Sequence, residues 1–279
     1  MCIRDRFFFI PPLDDANPSQ RLWILGGSTS AAQPDGSDWP AQLQDALADR
    51  AVRVVNMGHE GYGSSQLAGL WEHEHDRVRP ASVVFFEGWN YRGALTSRRG
   101  FRPANAPSPF DGPLPRLSAA LVDHSAAYGS AAAYLHKHSR RDPCGDTTRY
   151  PEMGAWEAEL TAALARMARR DRVFLVLFPG LAMRDDVRPF LGRDWNQRCV
   201  AEHFAFYRAE YDDRLAVLER AAAASGALTL DARPAYRALP PDAHAACFRD
   251  FCHQTRAGNA LLARTLRHEL TRQGALPAG

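Results

Sequence analysis

The chain has 279 residues, of which 46% are hydrophobic and 24% charged, and a formal net charge of +2 at pH 7. That is the make-up of a globular protein with enough chain to bury a large core. So small a charge excess gives no reason to expect nucleic acid or an anionic membrane as a main partner. No apolar run approaches the roughly 20 residues of a membrane span, and "FFFI" at 7–10 is too short even for the core of a signal peptide.

The opening "MCIRDR" resembles a translated sequencing adapter, so residues 1–20 are set apart as a leader. The compartment is left open: cytoplasmic, or periplasmic or secreted if a leader has been lost. The domain is expected over 21–273. It begins with "RLWIL" (21–25), a β-rich apolar run that closes on "GGSTS". A helix follows, capped by Ser37 or Asp38 with Pro40 in its first turn; Trp39, Leu43 and Leu47 share one face. "VRVVNMG" (52–58) predicts a second strand, and a helix from about Ser64 must stop before Pro80. "SVVFFEG" (82–88), "RVFLVLFPG" (172–180) and "ALTLD" (227–231) predict three more strands. Helical apolar faces recur at Trp156, Leu160, Leu164 and Met167, at Tyr207, Tyr211, Leu215 and Leu218, and at Leu262, Leu266 and Leu270.

Five strands alternating with helices imply parallel pairing, because each parallel strand needs a crossover. The expected fold is a three-layer α/β/α sandwich around a parallel five-stranded sheet. The stretch 92–150, with "RPANAPSPFDGPLP" at 102–115, is too long for an ordinary connection. It is an insertion, either a lid over the site or a surface excursion. Cys2 lies in the leader, and Cys144, Cys199, Cys247 and Cys252 form no CxxC pair and no zinc-ligand spacing. Their disulfide state is open. His73 and His75 flank Glu74, but side chains two apart on a helix diverge, which argues against a metal site.

In such folds the chemistry sits outside the carboxyl ends of the strands. The first strand leads to Ser28, the second to Gly58 and Gly61, and the third to Asn90 in "FFEGWNY" (85–91). The last leads to Asp250 and His253 in "RDFCHQTRAGNALLA" (249–263). A serine needs a base to take its proton as it attacks. His253 can be that base, and Asp250, three residues earlier, can hold its ring and stabilise the imidazolium. The backbone N–H groups of Ser28 and Gly61 and the side-chain amide of Asn90 can then stabilise an oxyanion. A phosphate loop is disfavoured because "GGSTS" lacks a Gly-Lys-Ser/Thr ending. A Gly-x-Ser-x-Gly elbow fails because Ser30 stands in the place of the last glycine.

This set resembles the SGNH, or GDSL-like, hydrolase superfamily of esterases and lipases. Gly26-Gly27-Ser28 stands where that family usually has Gly-Asp-Ser, and Asn56 followed by Gly61 matches its second block. Gly88-Trp89-Asn90 matches the third until Tyr91 replaces an aspartate, and Asp250-Phe251-Cys252-His253 matches the fourth. The likeness covers residues 21–91 and about 226–272. It implies a flavodoxin-like sheet and a serine ester hydrolase with Ser28, His253 and Asp250 as triad. Ser28, Gly61 and Asn90 would form the oxyanion hole, and no metal or organic cofactor is implied. The expected substrate is a small-molecule or carbohydrate acyl ester. Two alternatives stay open: a polysaccharide O-acetyltransferase with the same triad, and a non-catalytic binding module on the same fold.

Overall fold

A computed structural model describes residues 21–33, 35–87, 153–184, 204–249 and 252–276. Residues 1–20, expected to be a leader, and 92–150, expected to be an insertion, lie outside the described residues, as do Asn90 and Asp250 and the thiols Cys144 and Cys199.

Five strands form one parallel sheet: β1 (Arg21–Gly26), β2 (Arg53–Asn56), β3 (Ser82–Phe86), β4 (Arg172–Leu177) and β5 (Leu228–Asp231). Every residue of β1 and β3 is buried. Such near-continuous apolar runs are what a sheet covered on both faces requires. The helices are α1 (Trp39–Ala46), α2 (Ser64–Val78), α3 (Met153–Ala168), α4 (Phe204–Ser225), α5 (Arg233–Arg237), α6 (Pro241–Ala246) and α7 (Arg256–Arg272).

The strand order is β2-β1-β3-β4-β5. The chain steps outward from β1 to β2, then returns past β1 to β3. With right-handed crossovers that reversal sends α1 to one face and the later crossover helices to the other. The packing agrees: α1 lies against α7, while α2 lies on α3 and α3 on α4. The result is the three-layer α/β/α sandwich expected from the sequence. The reversal also opens a crevice beyond the carboxyl ends of β1 and β3, the switch point where such sheets bind ligands.

Local signals account for the element ends. Asp38 caps α1, its carboxylate accepting from Ala41 N and Gln33 N at 2.9 Å each. Arg79 ends α2 at φ 46°, immediately before Pro80. Strands two and four are shorter than their apolar runs. Met57 and Gly58 leave β2, and Phe178 leaves β4 to enter the turn that leads to a 3₁₀ turn at Leu181–Met183. The apolar faces foreseen on α1, α3, α4 and α7 are buried at Leu43, Leu160, Tyr211 and Leu266.

Two buried phenols are satisfied by carbonyls, as burial of a hydroxyl demands. Tyr211 Oη donates to Phe178 O at 2.7 Å, and Tyr236 Oη donates to Gly258 O at 2.6 Å. The second bond ties α5 to the first turn of α7. Beside it, His244 of α6 is fully buried among Tyr236 and Phe248, with Nδ1 3.4 Å from Tyr236 O.

Burial lowers the pKa of His244 below its usual value, and the nearby Arg184 charge acts the same way. The folded state therefore takes up this proton less readily than the unfolded chain. The stability tied to neutral His244 is present above the unfolded histidine value of about 6.5 and is lost as pH falls below it. Urea unfolding at pH 7.5 and 5.5 should show a smaller loss in His244→Gln than in the wild type.

Candidate active site

The turn after β1 is built around Ser30 rather than Ser28. After β1, Ser30 N donates to Gly27 O at 3.0 Å and Ala31 N to Ser28 O at 3.4 Å, closing a turn on which Ser28 stays half-exposed. Ser30 points inward and is fully buried. Its Oγ accepts from Trp39 Nε1 at 3.1 Å, and its carbonyl accepts from Asn56 Nδ2 at 2.8 Å. Asn56 Oδ1 in turn accepts from Gly58 N at 2.9 Å, and His59 N donates to Gly26 O at 2.8 Å.

This knot explains two glycines. A Cβ on Gly26 would stand 2.3 Å from Ser30 Oγ and 2.9 Å from Phe86 O. A Cβ on Gly58 would stand 2.5 Å from the Ser30 carbonyl carbon and oxygen. Both glycines are there for close approach of backbone, not for a left-handed conformation. Ser30 itself carried no signal in the sequence beyond its place in "GGSTS".

His253 sits on a loop closed by Thr255 N donating to Cys247 O and by Arg249 N donating to His253 O, each at 2.8 Å. Phe248 and Gln254 pair as an antiparallel bridge across it. Thr255 then caps α7, accepting from Gly258 N at 3.3 Å. Gly258 lets α7 press onto this loop, since a Cβ there would lie 2.2 Å from Cys247 O.

The loop delivers His253 Nε2 to 2.9 Å from Ser28 Oγ, joining residues 225 apart. When Ser28 donates in this bond, Nε2 is the acceptor and the ring proton lies on Nδ1. Cys252 Sγ is 3.4 Å from that Nδ1. Cys252 and Cys247 are buried and form no disulfide, and burial pushes the Cys247 thiol up.

Gly61 lies exposed on the loop between β2 and α2 with φ 76°, a conformation that glycine adopts without strain. His59 stacks on Tyr62 across this loop, ring centroids 4.1 Å apart. Thus Ser28 and His253 are in contact, and Gly61 is on the same edge of the sheet. Asn90 and Asp250 lie outside the described residues.

One group near this edge was not anticipated. Glu87, directly after β3, is buried, and its Oε2 accepts from Ser64 Oγ at 2.9 Å and Trp156 Nε1 at 3.3 Å. It holds the start of α2, just beyond Gly61, against α3 and the end of β3. A glutamate inside "FFEGWN" was the available signal, because a carboxylate following a buried strand needs partners.

The two histidines of α2 face different partners. His75 lies between Asp171 (Nε2 to Oδ1 3.0 Å) and Asp76 (Nδ1 to Oδ1 3.2 Å), and His73 faces Glu74 instead. Among the described residues no group of three or more His, Cys, Asp or Glu could hold a metal ion, and no helix is long and apolar enough to cross a membrane.

No protein-family model matches this chain, and no curated protein matches it by sequence. Solved structures do. LAE5, an α/β hydrolase enzyme from the metagenome of Lake Arreo, Spain, is similar over 93% of this chain and 97% of its own, with 21% identity and a TM-score of 0.55. Axe2, an acetylxylan esterase from Geobacillus stearothermophilus, is similar over 90% of this chain and 94% of its own, at 17% identity and a TM-score of 0.52. The likeness shows the fold. It extends over nearly the whole chain, whereas the sequence motifs reach only its two ends.

The Ser30 knot and the Glu87 cluster give separate tests. Gly58→Ala should destabilise the protein by about 1–3 kcal/mol through overpacking, read from the urea midpoint. Glu87→Leu removes the acceptor of the Ser64 hydroxyl, while Trp156 Nε1 keeps Ser64 Oγ at 3.2 Å, and should cost about 1–3 kcal/mol by the same measurement.

Proposed function

We propose that this chain is a serine ester hydrolase of the SGNH type, acting on small acyl esters, with acetyl groups on a carbohydrate as the favoured substrate. The observation that carries this is the 2.9 Å contact of His253 Nε2 with Ser28 Oγ at the carboxyl edge of the sheet. A half-exposed serine in hydrogen-bond contact with an imidazole is the unit that nucleophilic catalysis requires. The fold likeness to an acetylxylan esterase supports the ester class.

In the first half-reaction Ser28 Oγ attacks the acyl carbonyl carbon as its proton passes to His253 Nε2. The tetrahedral intermediate carries its negative charge on the former carbonyl oxygen. In this reading the N–H groups of Ser28 and Gly61 and the Asn90 amide stabilise that oxygen. The C–O bond to the alcohol then breaks, and the alcohol leaves with the proton held by His253. Water attacks the acyl-Ser28 ester, gives its proton to His253, and collapse releases the acid and restores Ser28. Asp250 is assigned to the Nδ1–H of His253, where it fixes the tautomer and stabilises the imidazolium.

Hydrolysis of p-nitrophenyl acetate by wild type and Ser28→Ala tests this reading, with folding checked by circular dichroism. Ser28→Ala is expected to lower kcat on the order of 10,000-fold or more. Equal rates in the two proteins, or no turnover in either, would refute the assignment.

A further inference from the structure

The start of α2 is held by side chains that no step of the proposed reaction touches. A helix leaves its first N–H groups without partners of its own. Here Gly63 N donates to Gln66 Oε1, and Ser65 N donates to Glu159 Oε1 of α3, each at 2.9 Å. Between them Ser64, Glu87 and Trp156 form a closed triangle. Ser64 Oγ donates to Glu87 Oε2 at 2.9 Å, and Trp156 Nε1 lies 3.2 Å from Ser64 Oγ and 3.3 Å from Glu87 Oε2. All three residues are buried, where breaking one such bond leaves its partner unsatisfied.

Gly61 stands three residues before Ser64. Tyr62 N donates to His59 O at 3.2 Å and closes a turn with Gly61 at its third position, where φ 76° suits glycine. Neighbouring N–H groups are taken up inside the protein: His59 N by Gly26 O at 2.8 Å, and Gly58 N by Asn56 Oδ1 at 2.9 Å. Gly61 is exposed, and its N–H has no hydrogen-bond partner among the described residues, so this donor is left for a ligand or water. The turn is therefore anchored on both sides of that donor. His59 ties it to the end of β1, two residues before Ser28, and the triangle ties it to the end of β3. Anchoring on both sides fixes the direction of the Gly61 amide, and a donor aimed at developing charge helps most when it is already in place.

We propose that Glu87 is a positioning residue for the reaction: by fixing Ser64 it aims the Gly61 N–H at the oxyanion. It acts through the start of α2 and not on the substrate. The inference rests on the esterase reading above and adds the group that sets one of its oxyanion donors.

The test is hydrolysis of p-nitrophenyl acetate by Ser64→Ala and Glu87→Leu, with rates divided by the folded fraction from circular dichroism. Each variant should lower kcat and kcat/KM equally, by about tenfold, because a misplaced donor is felt at the transition state and not in substrate binding. Ser64→Ala leaves Trp156 on Glu87 and decides the matter should Glu87→Leu not fold. Glu87→Gln, which keeps an acceptor for Ser64, should recover most of the loss. Trifluoroacetone supplies a second readout: Ser28 adds to its carbonyl carbon, the serine proton passes to His253, and the former carbonyl oxygen becomes an oxyanion. Its inhibition constant should also rise about tenfold in Ser64→Ala. An unchanged kcat in folded Ser64→Ala, or a lower kcat with an unchanged inhibition constant, would mean that Glu87 serves the fold alone and would overturn the inference. Either result together with loss of activity in Ser28→Ala leaves the esterase reading standing. Turnover surviving in Ser28→Ala would overturn both.

Discussion

The burial of Ser30 is the constraint on which the rest of the site depends. Its hydroxyl is held by Trp39 of α1 and its carbonyl by Asn56 at the end of β2, while Gly26 and Gly58 clear the space for it. Two neighbouring strands and a helix are thereby joined at a single residue. Ser28, two positions earlier on the same turn, is left at the surface with no freedom to withdraw. On the serine-hydrolase reading proposed above, a hydroxyl held in this way meets His253 without ordering itself at the moment of reaction, which is where positioned groups gain most of their advantage.

The same logic is repeated on the other side of the crevice. Gly258 brings α7 onto the carbonyl of Cys247, Tyr236 bonds to Gly258 from α5, and the bridge between Phe248 and Gln254 shapes the loop that presents His253. Beyond Gly61, buried Glu87 gathers the start of α2, α3 and the end of β3 around one carboxylate. Ser28, Gly61 and His253 all stand on loops, where binding and catalytic residues commonly lie. Each described loop is anchored by a buried polar contact within three residues of the group it carries.

Much of this was legible in the sequence, and the reasons are physical. Buried parallel strands are continuous apolar runs, and helices alternating with them leave a 3.6-residue trace, so the five strands and the sandwich could be read directly. Ser28 and His253, which the structure brings into contact, could be marked as candidates because glycine and polar residues after apolar runs mark strand ends, where ligands bind. Ser30 and Glu87 were not found. Each acts through burial, and a polar residue near a strand end looks the same in sequence whether it faces water or the interior. The role of Gly26 was seen only in part. A tight turn predicts a glycine, but the contact that demands one comes from a side chain four residues later and from the β3 carbonyl at Phe86.

The dyad also carries a consequence for how the chain matures. Its two members are 225 residues apart, at opposite ends of the described domain. During synthesis the turn that bears Ser28 emerges long before the loop that bears His253, and chains grow at about 5–20 residues per second. For that interval of roughly ten seconds or more the serine is an ordinary hydroxyl. The contact forms only when α7 docks beside α1, one of the least local contacts in the fold and so one of the costliest to form early. If Ser28 is the nucleophile proposed above, its labelling by a serine-directed reagent reports completion of the whole fold, because its contact with His253 exists only there.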